Sequence, residues 1–84
     1  MSFAVGWEPP ALHEFHELWA VSPDPAAVRA AREEAERLLG ADPVGAGRHL
    51  SEGLWRIEVP PLVFHYTIDP ARQLVEITDV APTA

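Results

Sequence analysis

Three residues in the second half of the chain have side chains that could together move a proton and hold a phosphate: Arg56, Glu58 and His65. A histidine or a glutamate can serve as a general acid or base, and an arginine can stabilise negative charge on a phosphate. The alternative is that these side chains simply pair across strands on the wet face of an antiparallel sheet. The sequence favours this second interpretation and leaves the catalytic one open.

A second group of polar residues, His13, His16 and Glu17, lies within five positions near the start of the chain. In a helix, His13 and Glu17 would share one face with His16 beside them, and such a face could contact a metal. The order is not H-E-x-x-H, however, and a zinc site normally needs three or four ligands. The pattern is more typical of a solvated helix face. We therefore predict no metal site and no cofactor.

Composition limits the classes of function. The chain has 84 residues, is 48% hydrophobic, lacks cysteine and has a formal net charge of −7, and its six cationic residues are all arginine. We expect one domain covering residues 1–84, without disulfides or cysteine-ligated metals. Because phosphate contacts need clustered cations, we expect weak or no direct binding of nucleic acid. The absence of a long apolar run and of a charged-then-apolar leader predicts a cytoplasmic protein that neither crosses nor enters a membrane.

The elements that must position Arg56, Glu58 and His65 are three strands predicted from alternating apolar and polar residues. They cover residues 54–59, 62–68 and 74–80, and each alternates with a period of two. The links between them are short, which predicts an antiparallel meander buried on one face.

The register of this meander follows from keeping the apolar residues of each strand on one face. It places Arg56 opposite His65, and His65 opposite Thr78. Pro60 and Pro61 cannot adopt the positive φ angles of a tight primed turn, so the first link is expected to be wider than two residues. The polar face then contains Arg56, Glu58, His65, Thr67, Glu76 and Thr78.

The first half of the chain predicts one strand and two helices. Alternation predicts a strand over residues 3–8, and apolar spacing predicts a helix over 10–20. A second helix is expected to start after an Asp24 N-cap and to end near residue 39, with Gly40 as its C-cap. In it, Glu33 and Arg37 are spaced as an i, i+4 ion pair.

The stretch 42–53 is rich in glycine and turn residues and is predicted to be an irregular connector with a short extended piece at 49–51. The order strand, two helices, three strands predicts an α+β fold of two layers. The expected core takes one face of each element, namely Phe3, Val5, Trp7, Leu12, Phe15, Leu18, Trp19, Val28, Leu38, Trp55, Ile57, Phe64, Tyr66, Ile68 and Ile77.

Two stretches resemble one known family. FAVGWEPPALHEFHELW resembles the opening of RelE/ParE-type toxins of bacterial type II toxin-antitoxin modules, which are also known for plasmid stabilisation. GLWRIEVPPLVFHYTIDPARQLVEITDV resembles the three-stranded meander of that family. Together the stretches cover most of the chain. The resemblance implies a fold with an N-terminal strand, a helical hairpin and a three-stranded antiparallel meander packed on the helices.

The resemblance also implies a small toxin that a cognate antitoxin neutralises, and that acts either on the ribosome as an endoribonuclease or on gyrase as an inhibitor. The family's nucleases carry several basic residues on the open face of the meander. Arg56 matches the first of these positions, but Glu58 stands at the next. We therefore expect a protein that acts by binding proteins. The alternatives are a ribosome-dependent mRNA endoribonuclease that uses His65, Glu58 and Arg56, and a non-catalytic homodimer joined at strand edges.

The resemblance further implies a groove for an antitoxin segment between the helical hairpin and the sheet. A helix in such a groove is held through apolar anchors at i, i+3, i+4 and i+7. Trp19, Leu38 and Leu39 are the candidate residues on this chain for binding the partner. The net charge of −7 predicts that the antitoxin segment is basic.

Overall fold

The computed structural model describes residues 2–83, which form one mixed sheet with helices packed against it. Seven of the eight elements were expected from the sequence, and the short helix α3 was not. In chain order the elements are β1 (Ala4–Trp7), α1 (Pro9–Val21), α2 (Pro25–Ala41), α3 (Pro43–Ala46), β2 (Arg48–Ser51), β3 (Leu54–Val59), β4 (Leu62–Asp69) and β5 (Leu74–Pro82).

The strands lie in the order β1, β5, β4, β3, β2. The last three strands of the chain form the antiparallel meander, β1 pairs with β5 in parallel, and β2 pairs with β3 at the opposite edge. The predicted α+β fold, with an N-terminal strand, a helical hairpin and a meander packed on the helices, is confirmed. The predicted extended piece at 49–51 is strand β2, so the connector is more regular than expected.

The core lies between the helices and one face of the sheet. The sheet supplies Phe64, Tyr66, Val75 and Ile77, all fully buried, because alternation sends every second side chain of a strand to the same face. Most of the expected core residues are buried or packed against the core, but Trp19 is 43% exposed and does not belong to it. The buried residues that were not in the expected core are Ala11, Ala31, Ala35, Leu39, Pro43, Leu62, Val63, Val75 and Val80.

The hairpin between β3 and β4 has the predicted register, with Arg56 opposite His65. The expectation of a wide link was wrong, because Val59 pairs directly with Leu62 across Pro60 and Pro61. The peptide bond between the two prolines is cis. Neither proline has a positive φ, so this two-residue link is not one of the primed turns on which the expectation was based.

The hairpin between β4 and β5 departs from the prediction at one point. Tyr66 pairs with Ile77 as expected, but His65 pairs with Asp79 and not with Thr78. One extra residue of β5 is accommodated there as a β-bulge, which shifts the register of everything beyond it. The bulge keeps Val80 on the core side of the sheet, where it is buried.

The second helix begins as predicted, since the Asp24 side chain accepts a hydrogen bond from the backbone N–H of Ala27 at 3.1 Å. It does not end at Gly40, which lies inside the last turn and has no positive φ. The carbonyl of Gly40 accepts a hydrogen bond from Phe3 N at 2.8 Å, and a Cβ at Gly40 would lie 3.4 Å from Phe3 O. Gly40 therefore continues the helix, ties the N-terminal segment to it through its carbonyl, and does not cap the helix.

The charged face of α2 is joined to β1 and α1 through Glu36 and Arg32. The indole N–H of Trp7 donates to Glu36 at 2.8 Å, and the Arg32 guanidinium lies 4.8 Å from the Trp7 and Phe15 rings. The predicted pair between Glu33 and Arg37 is wrong, because Arg37 pairs with Glu34, one turn away at i, i+3. Among the helices that the structure describes, none has the length and apolar content to cross a membrane.

Candidate functional site

The structure brings Arg56, Glu58 and His65 together on the open face of the sheet. Arg56 and Glu58 are two residues apart on β3, so their side chains share a face, and Nη2 of the arginine lies 3.1 Å from Oε1 of the glutamate. His65 stands opposite Arg56 on β4. The three side chains line one shallow depression together with Val63 and residues 81–83.

Asp79 is the fourth ionisable residue of this site, and it was not expected there from the sequence. Its Oδ2 lies 3.3 Å from Nδ1 of His65, because the bulge in β5 places it directly opposite that histidine. Thr78, which was expected in this position, donates from its hydroxyl to the backbone carbonyl of His65 at 3.4 Å. The signal was present in the sequence, since Val75, Ile77 and Val80 break the period of two at the bulge.

Glu14 approaches the same carboxylate from the helical layer. Strand β1 covers β5 only as far as Ile77, and α1 lies beside the rest of that strand. Partial burial raises the pKa of Glu14, and the negative charge of Asp79 raises it further, while the backbone N–H of Val80 opposes the shift. A row of ionisable groups thus runs from α1 through β5 to β4.

The electrostatic balance of the depression differs from that of a phosphate site. Arg56 is the one arginine that lines it, and this arginine is already paired with Glu58. His65 is held by Asp79. An imidazole oriented by a carboxylate is suited to acid-base chemistry. A phosphate placed beside it would also meet two carboxylates, which repel it.

The three candidate partner-binding residues do not form one surface. Trp19 lies in a groove between α1 and the first turns of α2, where Arg29 and Glu33 are its charged neighbours. Leu39 is fully buried and is therefore absent from the surface, and Leu38 is half-buried against the core. Arg29 and Leu38 are nine positions apart, which corresponds to about 13 Å along a helix. The surface near Trp19 is thus separate from the end of α2.

The polar residues of α1 form a solvated face. His13 Nε2 lies 2.7 Å from Glu17 Oε1, and both side chains are mostly exposed. Within residues 2–83, no three His, Asp or Glu side chains lie close enough together to hold a metal ion.

Comparison with known proteins identifies the fold. No model of a known protein family matches the chain, and no curated protein sequence matches it. Solved structures do match. A chain of the RelBE2 toxin-antitoxin complex from Mycobacterium tuberculosis has a TM-score of 0.84 and 23% sequence identity, over 100% of this chain and 94% of that one.

Two further structures show the same similarity. A chain of the chromosomal ParDE toxin-antitoxin system of P. aeruginosa has a TM-score of 0.77 and 16% identity, over 99% of this chain and 98% of that one. The isolated RelE toxin of E. coli has a TM-score of 0.71 and 12% identity, over 99% of this chain and 86% of that one. The chain therefore has a RelE/ParE-like fold.

Proposed function

We propose that this chain is the toxin component of a toxin-antitoxin module and that it acts by binding proteins, first of all a cognate antitoxin. The observation that carries the proposal is the structural match over the whole chain to chains from the RelBE2 and ParDE systems. The match extends over 100% and 99% of this chain, so it includes every element of the fold.

The charges of the open face favour protein binding over cleavage of RNA. The depression contains one arginine, paired with Glu58, and one histidine, paired with Asp79. A nuclease must gather cations around a phosphate whose charge grows in the transition state. The net charge of −7 further opposes the approach of RNA.

A second candidate function, ribosome-dependent mRNA cleavage, is favoured by one specific contact. Asp79 orients the His65 imidazole at 3.3 Å, and Arg56 stands on the neighbouring strand opposite that histidine. In this version His65 is the acid or base, Asp79 sets its orientation, and Arg56 holds the phosphate. Glu58, which the sequence suggested as an acid-base residue, instead pairs with the arginine.

Expression in a bacterial host tests the proposal and separates the two candidates. The chain is induced alone, and then together with the product of the small reading frame next to its gene. We expect growth arrest with intact transcripts, relief by co-expression, and the same arrest from an Arg56→Ala, His65→Ala double variant. Transcripts cut during translation, with cleavage lost in the double variant, would establish the nuclease instead. A chain that neither arrests growth nor binds its neighbour's product would contradict the proposal.

A binding measurement on the purified chain gives an independent test. At an ionic strength of about 0.15 M, the affinity for single-stranded RNA should be weaker than about 1 µM, because Arg56 is paired with Glu58 and the arginine opposite it, Arg48 on β2, is by itself too little to form a phosphate track. The Glu58→Gln variant frees Arg56 and serves as a control that should bind RNA slightly better. Tight binding by the unmodified chain would favour the nuclease.

A further inference from the structure

The exposed side of the helical hairpin carries a shallow groove around Trp19. This side chain is 43% exposed, and α2 supplies the other residues of the groove, namely Pro25, Ala26, Arg29, Ala30 and Glu33. The other two tryptophans, Trp7 and Trp55, each pack against further aromatic rings. Within residues 2–83, Trp19 forms no such ring pair. An exposed tryptophan of this kind is typical of an interaction site.

Four of the residues that α2 contributes lie on one stripe of that helix. Ala26, Arg29, Ala30 and Glu33 are spaced at i, i+3, i+4 and i+7, and all four are exposed. The two small alanines allow another helix to approach closely, because the side chains at a contact set the distance between helix axes. Together with Trp19, these four residues form the α2 face.

The α2 face carries one positive and one negative group that are open to a partner. Arg29 and Glu33 are one helical turn apart, yet neither forms an ion pair with any residue in the range 2–83. The pair with the same spacing on the neighbouring stripe, Arg32 and Glu36, does form, at 3.5 Å. Both charges of the α2 face are therefore available to a group outside the chain.

The order of these charges makes the α2 face complementary to itself. When two copies of α2 pack antiparallel about a two-fold axis near residue 31, Arg29 of each copy lies opposite Glu33 of the other. Two ion pairs then form at once. A parallel arrangement would instead place like charges opposite each other. Trp19 lies beside the same stripe, so the antiparallel arrangement also covers its exposed ring.

The edges of the sheet are less suited to a second copy. Strand β2 is interrupted by a bulge between His49 and Ser51, and it also carries Arg48. Bulges and cations on an edge strand oppose pairing with another strand. At the opposite edge, the backbone N–H of Phe3 is already bonded to the carbonyl of Gly40 on α2.

We propose that two copies of this chain associate through their α2 faces, antiparallel and about a two-fold axis. The proposal goes beyond the proposed function, since it involves none of the residues that line the depression on the open face of the sheet. Each copy has a net charge of −7, which opposes association at long range. At an ionic strength of about 0.15 M, charges more than about 8 Å apart are largely screened, and the contact pairs remain.

Charge reversal tests both the surface and its symmetry. Sedimentation equilibrium at micromolar to millimolar concentrations should show the mass of the unmodified chain rising from one copy toward two. Arg29→Glu and Glu33→Arg should each raise the Kd of the dimer about tenfold or more, because the two-fold axis makes each change replace two attractions with two repulsions.

The mixture of the two variants gives the most specific result. One variant presents two glutamates on its α2 face and the other presents two arginines, so both ion pairs can form between them. An equimolar mixture should therefore associate at least as tightly as the unmodified chain. The double variant Arg29→Glu, Glu33→Arg should also regain the dimer, since exchange of the two charges preserves their complementarity.

Two controls separate local pairing from net charge. Arg72→Glu and Glu52→Arg make the same charge changes at exposed positions outside the α2 face, and should leave the Kd nearly unchanged. Trp19→Ala should weaken the dimer, and circular dichroism checks that this variant remains folded. A chain that stays monomeric throughout would overturn the proposal. So would a mixture as weak as its components, or equal Kd values for the α2-face variants and their controls.

The proposed function and the α2-face dimer can fail separately. If the neighbouring gene product binds a chain that stays monomeric by itself, the dimer fails and the proposed function stands. If no gene product binds while the charge-reversal mixture associates, the proposed function fails and the dimer stands.

Discussion

Removal of the Tyr66 hydroxyl should lower the stability of the fold by an amount that follows from its one buried contact. The side chain is fully buried, and the hydroxyl donates a hydrogen bond to the carbonyl of Pro43 at 2.6 Å. Pro43 is itself buried at the start of α3. The contact therefore fixes α3, and with it the start of β2, against the middle of the sheet.

Tyr66→Phe leaves the Pro43 carbonyl in the interior without its donor. Such a loss costs about 1 to 3 kcal/mol of the free energy of unfolding. The total free energy of unfolding of a chain of this size is roughly 4 to 13 kcal/mol. Each kcal/mol lowers the melting temperature of so small a domain by about 4 to 8 °C, so we expect a drop on the order of 10 °C. Thermal unfolding followed by circular dichroism measures it.

The pKa of Tyr66 also predicts how the stability of the fold changes at high pH. Burial, and then the negative charge of Asp42, raise the pKa of Tyr66 to about 12. The unfolded value is about 10, so the neutral hydroxyl stabilises the fold fully below pH ~10, and this contribution is lost as the pH rises toward the folded pKa. The stability difference between the unmodified chain and Tyr66→Phe should therefore shrink over that range.

Because Tyr66 is the one tyrosine of the chain, tyrosinate absorbance reports its ionisation directly. A melting temperature unchanged in Tyr66→Phe would refute the role given to the hydrogen bond. Titration of the folded protein at the ordinary tyrosine pKa would refute the burial argument.

Three further outcomes are expected. The raised pKa of Glu14 means that its ionised form destabilises the fold, so Glu14→Gln should raise the melting temperature at neutral pH. This gain in melting temperature should disappear as the pH falls below the usual glutamate range. Glu17→Gln, at an exposed position, is the control, and an equal effect of both variants would contradict the prediction. Phe64→Ala should cost about 3 to 5 kcal/mol in chemical unfolding, and an unchanged midpoint would mean that its side chain is not in the core. Gly47→Ala should lower the free energy of unfolding by more than about 1 kcal/mol, since the new Cβ would contact the Tyr66 hydroxyl and lie 2.8 Å from Arg56 O. Gly6→Ala is the control, because a Cβ at Gly6 would point into open space. Similar melting temperatures of the two variants would count against that packing.

The faces of the strands could be predicted from the sequence because successive side chains alternate between faces, so burying one face fixes which residues point inward. The pairing of Arg56 with His65 followed from that rule and is confirmed. The rule failed beyond Ile77, where a bulge absorbs an extra residue and shifts the partner of His65 from Thr78 to Asp79. A parity argument assumes an uninterrupted ladder, so it cannot place a residue past such an interruption.

Local rules were less successful where tertiary contacts decide the outcome. A glycine after a helical stretch predicts a C-cap, but Gly40 lies inside the last turn, where its carbonyl accepts a hydrogen bond from Phe3 N. The short α3 is capped by Asp42, which accepts a hydrogen bond from Gly45 N at 3.0 Å, in the same Asp-Pro arrangement that begins α2. This cap signal was readable, and was missed because the surrounding glycines indicated a loop.

The candidate site was only partly visible in the sequence. Arg56, Glu58 and His65 come together as the strand pattern predicted, while Asp79 and Glu14 are added by the bulge and by the packing of α1 on β5. The candidate partner-binding residues could not be sorted by exposure, since helical periodicity identifies apolar residues but does not show which of them the sheet covers. Leu39 is covered and Val21 is not.

The central claim, that this chain works as the protein-bound component of a toxin-antitoxin module, is tested most directly by the mass of the assembly it forms. The chain and the product of the adjacent small reading frame are co-expressed, purified through a tag on the chain, and measured by size-exclusion chromatography with light scattering at low and high salt. We predict one stoichiometric complex of the two proteins, which weakens as the salt concentration rises because complementary charge contributes to it. Elution of the chain by itself, as a monomer or a homodimer, would contradict the claim.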